Sequence, residues 1–224
     1  MANALIYAQS GGGKTVNSTL VAAPKRGKNL LICSDNSHIV LNNFKRPNLT
    51  IKNVSTVETF MKEYETGYTS MLYDNIILDN LSDLLDLWLL ELDYSGKYKD
   101  FRQAYQVVYQ SLKRLTREST TLDCNTIFTA WSDNFEVTMP NGEKLIRLQP
   151  KLPGKILDNI CGLMNIVAYI NTVEKEGKKY WYYVTEGNNA LIAKDQIGNR
   201  KTLMPADLFA PLVQVKETKD EQQK

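Results

Sequence analysis

An α/β fold is predicted, with a mainly parallel central sheet flanked by helices and antiparallel strands added towards the C-terminus. Three features of the sequence predict it. Short apolar runs alternate with segments of helical period from Ala4 to Trp131. A glycine-rich loop joins the first apolar run to the first helical segment. Two hairpin signals then follow the point where the alternation ends.

The elements read in order as follows. Residues 4–8 form a short buried strand, 9–13 a glycine loop, and 14–22 a helix stopped before Pro24. Apolar strands are expected at 29–33 and, more weakly, at 49–54. Ser55, three residues before Glu58, reads as a capping box opening a helix through Glu65. Residues 75–79 are a nearly all-apolar strand. Leu81, Leu84, Leu85, Trp88 and Leu92 then recur on one helical face. A further helix spans 101–117, with Tyr105, Val108, Leu112 and Leu115 inward, and a core strand spans 125–131. Asn141-Gly142 suits a hairpin turn between strands at 135–137 and 145–148, because both positions tolerate positive φ. A second hairpin joins 164–173 to 179–185 through Glu176-Gly177-Lys178.

At 224 residues, with 43% hydrophobic and 23% charged side chains, the chain suits one ordinary globular domain, placed at 1–215. Residues 216–224 are polar and short of apolar groups, which predicts a flexible tail. No apolar run approaches the roughly 18 residues that span a bilayer, so no membrane association is expected. Cys33, Cys124 and Cys161 are odd in number and lie in apolar segments, which suits reduced thiols and a cytoplasmic location. His38 is the only histidine, so a structural zinc site or a histidine-centred triad is hard to build. A net charge of +2 is too small to point to nucleic acid by itself.

Ala8-Gln9-Ser10-Gly11-Gly12-Gly13-Lys14-Thr15 fits the phosphate-loop pattern GxxxxGK[ST], with alanine for the first glycine. Consecutive glycines let backbone N–H groups converge on a phosphate without side-chain obstruction, and the following helix points its partially positive end at the same anion. Gln9, Ser10, Gly11, Gly12, Gly13, Lys14, Thr15 and Val16 are therefore the nucleotide-binding candidates. Lys14 reaches the β- and γ-phosphates, and Thr15 ligates Mg²⁺. ATP and Mg²⁺ are the expected cofactors.

A second carboxylate is expected at the end of a buried strand beside the loop, where it holds Mg²⁺ through water. Asp79 supplies it, unless Asp79 or Asn80 caps the helix that begins near Leu81. Thr129, near the end of the next core strand, is placed either to sense the γ-phosphate or simply as a strand residue. Asp35 is the candidate for orienting attacking water, with Asp74, Asp83 and Asp133 as rivals and a turn-forming Asp-Asn as the alternative.

Together the loop at 8–15, the strand ending at Asp79, the strand ending Phe128-Thr129-Ala130-Trp131, and Pro150-Lys151-Leu152-Pro153-Gly154-Lys155 resemble the RecA-like ATPases of bacteriophages, in particular the Sak-type single-strand annealing and recombination ATPases. The resemblance runs from Ala4 to about Leu208. It implies a RecA-like P-loop NTPase core that hydrolyses ATP and acts on single-stranded DNA in recombination or annealing, in the host cytoplasm. It also implies assembly into a ring or filament and a single-strand DNA-binding protein as a further partner. RecA-like proteins place a glutamate base where Asp35 stands, so the acid here is one methylene shorter. Their Lys-x-Arg-x-Gly element, which reaches a neighbouring subunit's nucleotide, corresponds to Lys194-Asp195-Gln196-Ile197-Gly198. That implies a trans-acting Lys194, helped by Arg200, with glutamine in place of the arginine. Loops after the sensor strand face DNA in that family, which assigns DNA contacts to Phe135, Lys144, Arg147, Lys151 and Lys155. A nucleotide-dependent loader or assembly module with little turnover is the alternative reading. A small-molecule phosphotransferase is disfavoured, because Arg102, Arg114 and Arg117 are dispersed along a helix rather than gathered in a lid.

Overall fold

The structure is a computed structural model that describes residues 1–98 and 100–210. The expected tail at 216–224 and the last five residues of the expected domain lie outside the described residues. In chain order the elements are β1 (Asn3–Ala8), α1 (Lys14–Ser18), β2 (Asn29–Cys33), a 3₁₀ segment (Ser37–Asn43), β3 (Leu49–Asn53), α2 (Val57–Thr69), β4 (Asn75–Asp79), α3 (Leu81–Tyr94) and α4 (Phe101–Glu118). They continue with β5 (Asn125–Thr138), β6 (Lys144–Pro150), α5 (Gly154–Leu163), β7 (Ile166–Lys175), β8 (Lys178–Val184), β9 (Lys194–Asp195) and β10 (Thr202–Leu203).

The sheet order is β10-β8-β7-β1-β5-β4-β2-β3, with β6 paired to β5 and β9 to β7. Strands β7, β1, β5, β4, β2 and β3 are mutually parallel, and β6, β8, β9 and β10 add antiparallel pairings. The expected class is therefore the observed one. Central strands read as continuous apolar runs because both faces are covered. Leu5, Tyr7, Ile76, Leu78 and Phe128 point to the face under α2, α3, α4 and α5. Ala4, Ile6, Ile77 and Ile127 point to the opposite face, with Val16 of α1 and Leu41. Side chains alternate along a strand, so Asp79 and Thr129 share the α1 face with Ile77 and Ile127.

Several local expectations are corrected. The helix after the glycine loop ends at Ser18 rather than at 22. The Val21 and Ala22 carbonyls instead accept from the side-chain amides of Asn29 and Asn75, so the sheet takes over the chain before the helix completes a second turn. Helix α2 is capped by Thr56, whose hydroxyl accepts from the Thr59 N–H, and not by Ser55; it also runs on to Thr69. The core strand at 125–131 and the first hairpin strand are one continuous strand, β5, of 14 residues. Its first half is buried in the sheet, and its second half pairs only with β6 as a projecting ribbon. Helix α5 and the 3₁₀ segment at Ser37–Asn43 had no counterpart in the sequence reading. In α5 the apolar signal is short, with Ile156, Leu157 and Ile160 turned inward.

Candidate nucleotide-binding site

The C-terminal ends of the parallel strands set up the site. Strand β1 ends at Ala8, and the chain turns through Gly11 (φ 73°) and Gly13 (φ 87°), a left-handed conformation that glycine adopts without strain. A methyl group at Gly12 would meet Ala8 Cβ at 2.8 Å and the Gln9 carbonyl at 2.9 Å. One at Gly13 would meet Asn17 Nδ2 at 2.7 Å and Trp181 Nε1 at 2.9 Å. The backbone is therefore bare where a phosphate would approach. Because α1 has only five residues, its macrodipole is slight, and the loop amides rather than the helix must supply most of the anion's hydrogen bonds.

Lys14 is buried, and its ammonium donates to the Ala8 carbonyl at 3.3 Å and the Gln9 carbonyl at 3.0 Å. Burial pushes its pKa down, against the opposing pull of Asp79 and Asp35. Such a desolvated cation, held by two weak neutral acceptors, has much to gain from a triphosphate.

Asp79 is the hub. One carboxylate oxygen accepts from Thr15 Oγ1 at 2.6 Å and Ser37 Oγ at 2.8 Å, and the other accepts a short hydrogen bond from Thr129 Oγ1. The helix-cap role falls to Asn80, whose Oδ1 accepts from the Asp83 N–H at 2.8 Å. Asn80 Nδ2 also donates to Asp35 Oδ2 at 3.1 Å, so the cap of α3 holds the carboxylate beside it. We expect Asn80→Ala to lower stability by about 1 kcal/mol through loss of the cap, measured by urea denaturation. An unchanged midpoint would show that the cap carries no weight.

Lys14, Thr15, Ser37, Asp79 and Asn80 line a cleft of about 220 Å³ that also takes in Ser10, Val16 and Trp131, whereas Thr129 is fully buried and reaches it only through Asp79. Asp35 lines it too, held in a turn where its Oδ1 accepts from the Ser37 N–H. The rival carboxylates do not line the cleft, although Asp83 lies near enough to feel the charges of Asp35 and Asp79. Asp74 accepts from the amides of Lys25, Arg26 and Gly27 at the opposite end of the sheet. Asp83 accepts from Ser34 Oγ, and Asp133 lies on the β5–β6 ribbon. Among the described residues no cluster of three or more His, Cys, Asp or Glu side chains could hold a metal by itself. Mg²⁺ does not need one, since it is commonly held by one or two protein oxygens, waters and the substrate's phosphates. The adjacent oxygens of Thr15 and Asp79 fit that donor set. When bound, Mg²⁺ would neutralise phosphate charge there.

A family model described as an AAA domain matches residues 2–197, which include every residue of the cleft. The chain belongs to that AAA-domain family. Among solved structures, a KaiC-like protein from the hyperthermophilic archaeon Pyrococcus horikoshii aligns with a TM-score of 0.51 at 12% identity, over 91% of this chain and 88% of that one. At that identity the likeness establishes the fold alone, a RecA/KaiC-type P-loop core. No match is found among curated proteins.

The remaining candidates of this AAA-domain protein are distributed as follows. Phe135 and Arg147 are cross-strand partners on the ribbon, and they line a separate groove of about 530 Å³ with Lys151 and Gly154. Lys151 places its ammonium 5.2 Å from the centre of the Trp131 ring. Lys144 lies on the other face of the ribbon, ion-paired with Glu136 at 2.8 Å. Lys155 is exposed in the first turn of α5. Lys194 sits on β9, where its neighbour Asp195 pairs with Ile166, itself opposite Ala4 at the start of β1. It is therefore remote from its own glycine loop. The guanidinium of Arg200 is engaged within its own chain, by Asp195 at 2.6 Å and by the Asp207 and Leu208 carbonyls.

The sequence offered Asn80 only as a possible helix cap and did not point to Ser37. Asn80, directly before an apolar helix, carried a cap signal that was left shared with Asp79. Ser37 carried none, since its role depends on the 3₁₀ segment folding back over the strand ends. No helix among the described residues is long and apolar enough to cross a membrane.

Proposed function

We propose that this AAA-domain protein is an Mg²⁺-dependent ATPase that acts on single-stranded DNA, in the manner of the phage Sak-type recombination and annealing ATPases, as a ring or filament of identical subunits. The observation that supports the nucleotide half is Asp79 gathering Thr15 and Thr129 beside bare glycine amides and a buried lysine. In use, Lys14 turns from the loop carbonyls to the β- and γ-phosphates, the loop amides orient the chain of phosphates, and Thr129 stands at its far end. Asp35 orients water from the cleft wall.

The DNA half rests on β5. Thr129 and Phe135 lie on this one strand, six residues or about 20 Å apart, so a change at the nucleotide's far end has a stiff route to the ribbon. Phe135 is 56% exposed and faces Arg147, a pairing of aromatic and cation that suits base stacking on a single strand. Lys194, remote from its own loop, serves a neighbour's nucleotide in an assembly, and a single-strand DNA-binding protein is the further partner.

Steady-state ATP hydrolysis with and without single-stranded DNA tests this reading. We expect DNA to raise the rate several-fold, and Phe135→Ala with Arg147→Ala to remove that stimulation while leaving the basal rate in place. Tight nucleotide binding with no turnover under either condition would instead favour a loader or assembly module.

A further inference from the structure

The metal end of the site has a fixed direction. Asp79 and Thr129 stand on β4 and β5, on one side of β1 in the sheet. A triphosphate held with its γ-phosphate towards them must leave the loop on the other side, towards β7 and β8. At that side stands Trp181 of β8. Its indole Nε1 lies 2.9 Å, and Cδ1 3.3 Å, from where a side chain at Gly13 would begin. The ring therefore touches the phosphate loop directly.

Trp181 occupies the same sheet face as α1, packed beside the cluster that contains Val16, Ile170 and Tyr183. It is only partly buried, and among the described residues no acceptor meets its indole N–H. Lys179 lies two residues along the same face with its ammonium 5.8 Å from the ring centre, and Thr172 is the cross-strand partner of Trp181. A large, partly buried aromatic ring edged by a cation and a hydroxyl, at the exit of a phosphate loop, suits a nucleoside: the ring for the base, the polar groups for its edge and ribose. Trp131, the tryptophan that lines the cleft itself, sits midway along β5, opposite Ala8, on the metal side.

We propose that Trp181, with Lys179 and Thr172 beside it, forms the nucleoside subsite, stacking on the base of the nucleotide whose phosphates lie in the glycine loop. The assignment rests on the nucleotide reading above and adds the direction in which the nucleotide lies. It predicts that base recognition and phosphate recognition are separable.

Calorimetry with Mg²⁺, using ATP and base-free tripolyphosphate as the two probes, tests this. Trp181→Ala is expected to weaken ATP about tenfold while leaving tripolyphosphate within twofold, and Trp181→Phe to retain most of the ATP affinity. Equal weakening of both probes would overturn the subsite, because Trp181 would then only be propping up the loop. Loss of the ATP preference in Trp131→Ala rather than Trp181→Ala would reverse the proposed direction. A wild-type protein that binds neither probe sinks the nucleotide site itself, and one that binds both equally sinks only the subsite. Should Trp181→Ala fail to fold, fluorescence of Trp181 in a Trp88→Phe, Trp131→Phe background decides: quenching by ATP but not by tripolyphosphate supports the stack, and equal responses refute it.

Discussion

Lys14→Ala is expected to weaken ATP binding by at least a hundredfold and to bring hydrolysis to background without unfolding the protein. Lys14 donates to two loop carbonyls and is the buried ammonium at the place the phosphates would occupy. Removing a preorganised cation from a site of developing negative charge commonly lowers turnover by roughly 10²–10³. The effect on stability runs the other way. Burial depresses the folded-state pKa of Lys14 below its ordinary value, so the charged form is penalised in the native state at neutral pH. Between the folded and unfolded pKa values the unfolded chain binds more protons, so this penalty is present below the folded pKa and is relieved as pH rises through it. Lys14→Ala should therefore unfold at an equal or higher urea concentration than wild type at pH 7, and the advantage should shrink at alkaline pH. A variant that keeps ATP affinity would rule out the glycine loop as the phosphate site. A variant that unfolds earlier at pH 7 would show that the lysine holds the loop together.

Asp79 should produce the second large effect, and here the choice of replacement separates chemistry from packing. Its two carboxylate oxygens accept from three hydroxyls, those of Thr15, Ser37 and Thr129, and the residue is 1% exposed. Asn keeps one acceptor oxygen, and hydroxyl rotors can turn to accept from its amide, so Asp79→Asn should fold with little loss. It removes the negative charge, however, and with it the protein's carboxylate contribution to a Mg²⁺ shell. We expect a fall in hydrolysis of roughly a hundredfold or more and a much higher Mg²⁺ concentration for half-maximal rate. Asp79→Ala should add a folding defect, because each buried hydroxyl left without its acceptor costs roughly 1–3 kcal/mol. Magnesium titration of the rate, paired with urea denaturation, distinguishes the two variants. An Asp79→Asn protein with an unaltered magnesium response would remove this residue from the metal site.

The contrast between Asp79 and Lys194 shows where sequence reading reaches its limit. Asp79 ends an apolar run, and in a buried parallel strand that pattern alone places the carboxylate at the sheet's C-terminal edge, where ligands bind. Lys194 was carried over from a family pattern, yet its position at the far edge follows only from the pairing of β9 with the start of β7. Likewise the hairpin turn at Asn141-Gly142 was visible from its chemistry. That β5 runs unbroken from Thr129 into the ribbon was not, because a strand buried on one half and bare on the other has no single hydrophobic period.

The sequence by itself determined the parallel α/β core, the glycine loop with Lys14 and Thr15, and the aspartate that ends β4. Each depends on residues adjacent along the chain: apolar periods, backbone freedom at consecutive glycines, and a charge closing an apolar strand. Only the tertiary structure decided that Ser37 bonds to Asp79, that Asn80 takes the helix cap, and that Trp181 rests against Gly13. Those contacts join residues 42 apart, 3 apart at the start of one helix, and more than 150 apart. The first and last are created by the order in which the strands and the 3₁₀ segment come together, which spacing along the chain does not encode.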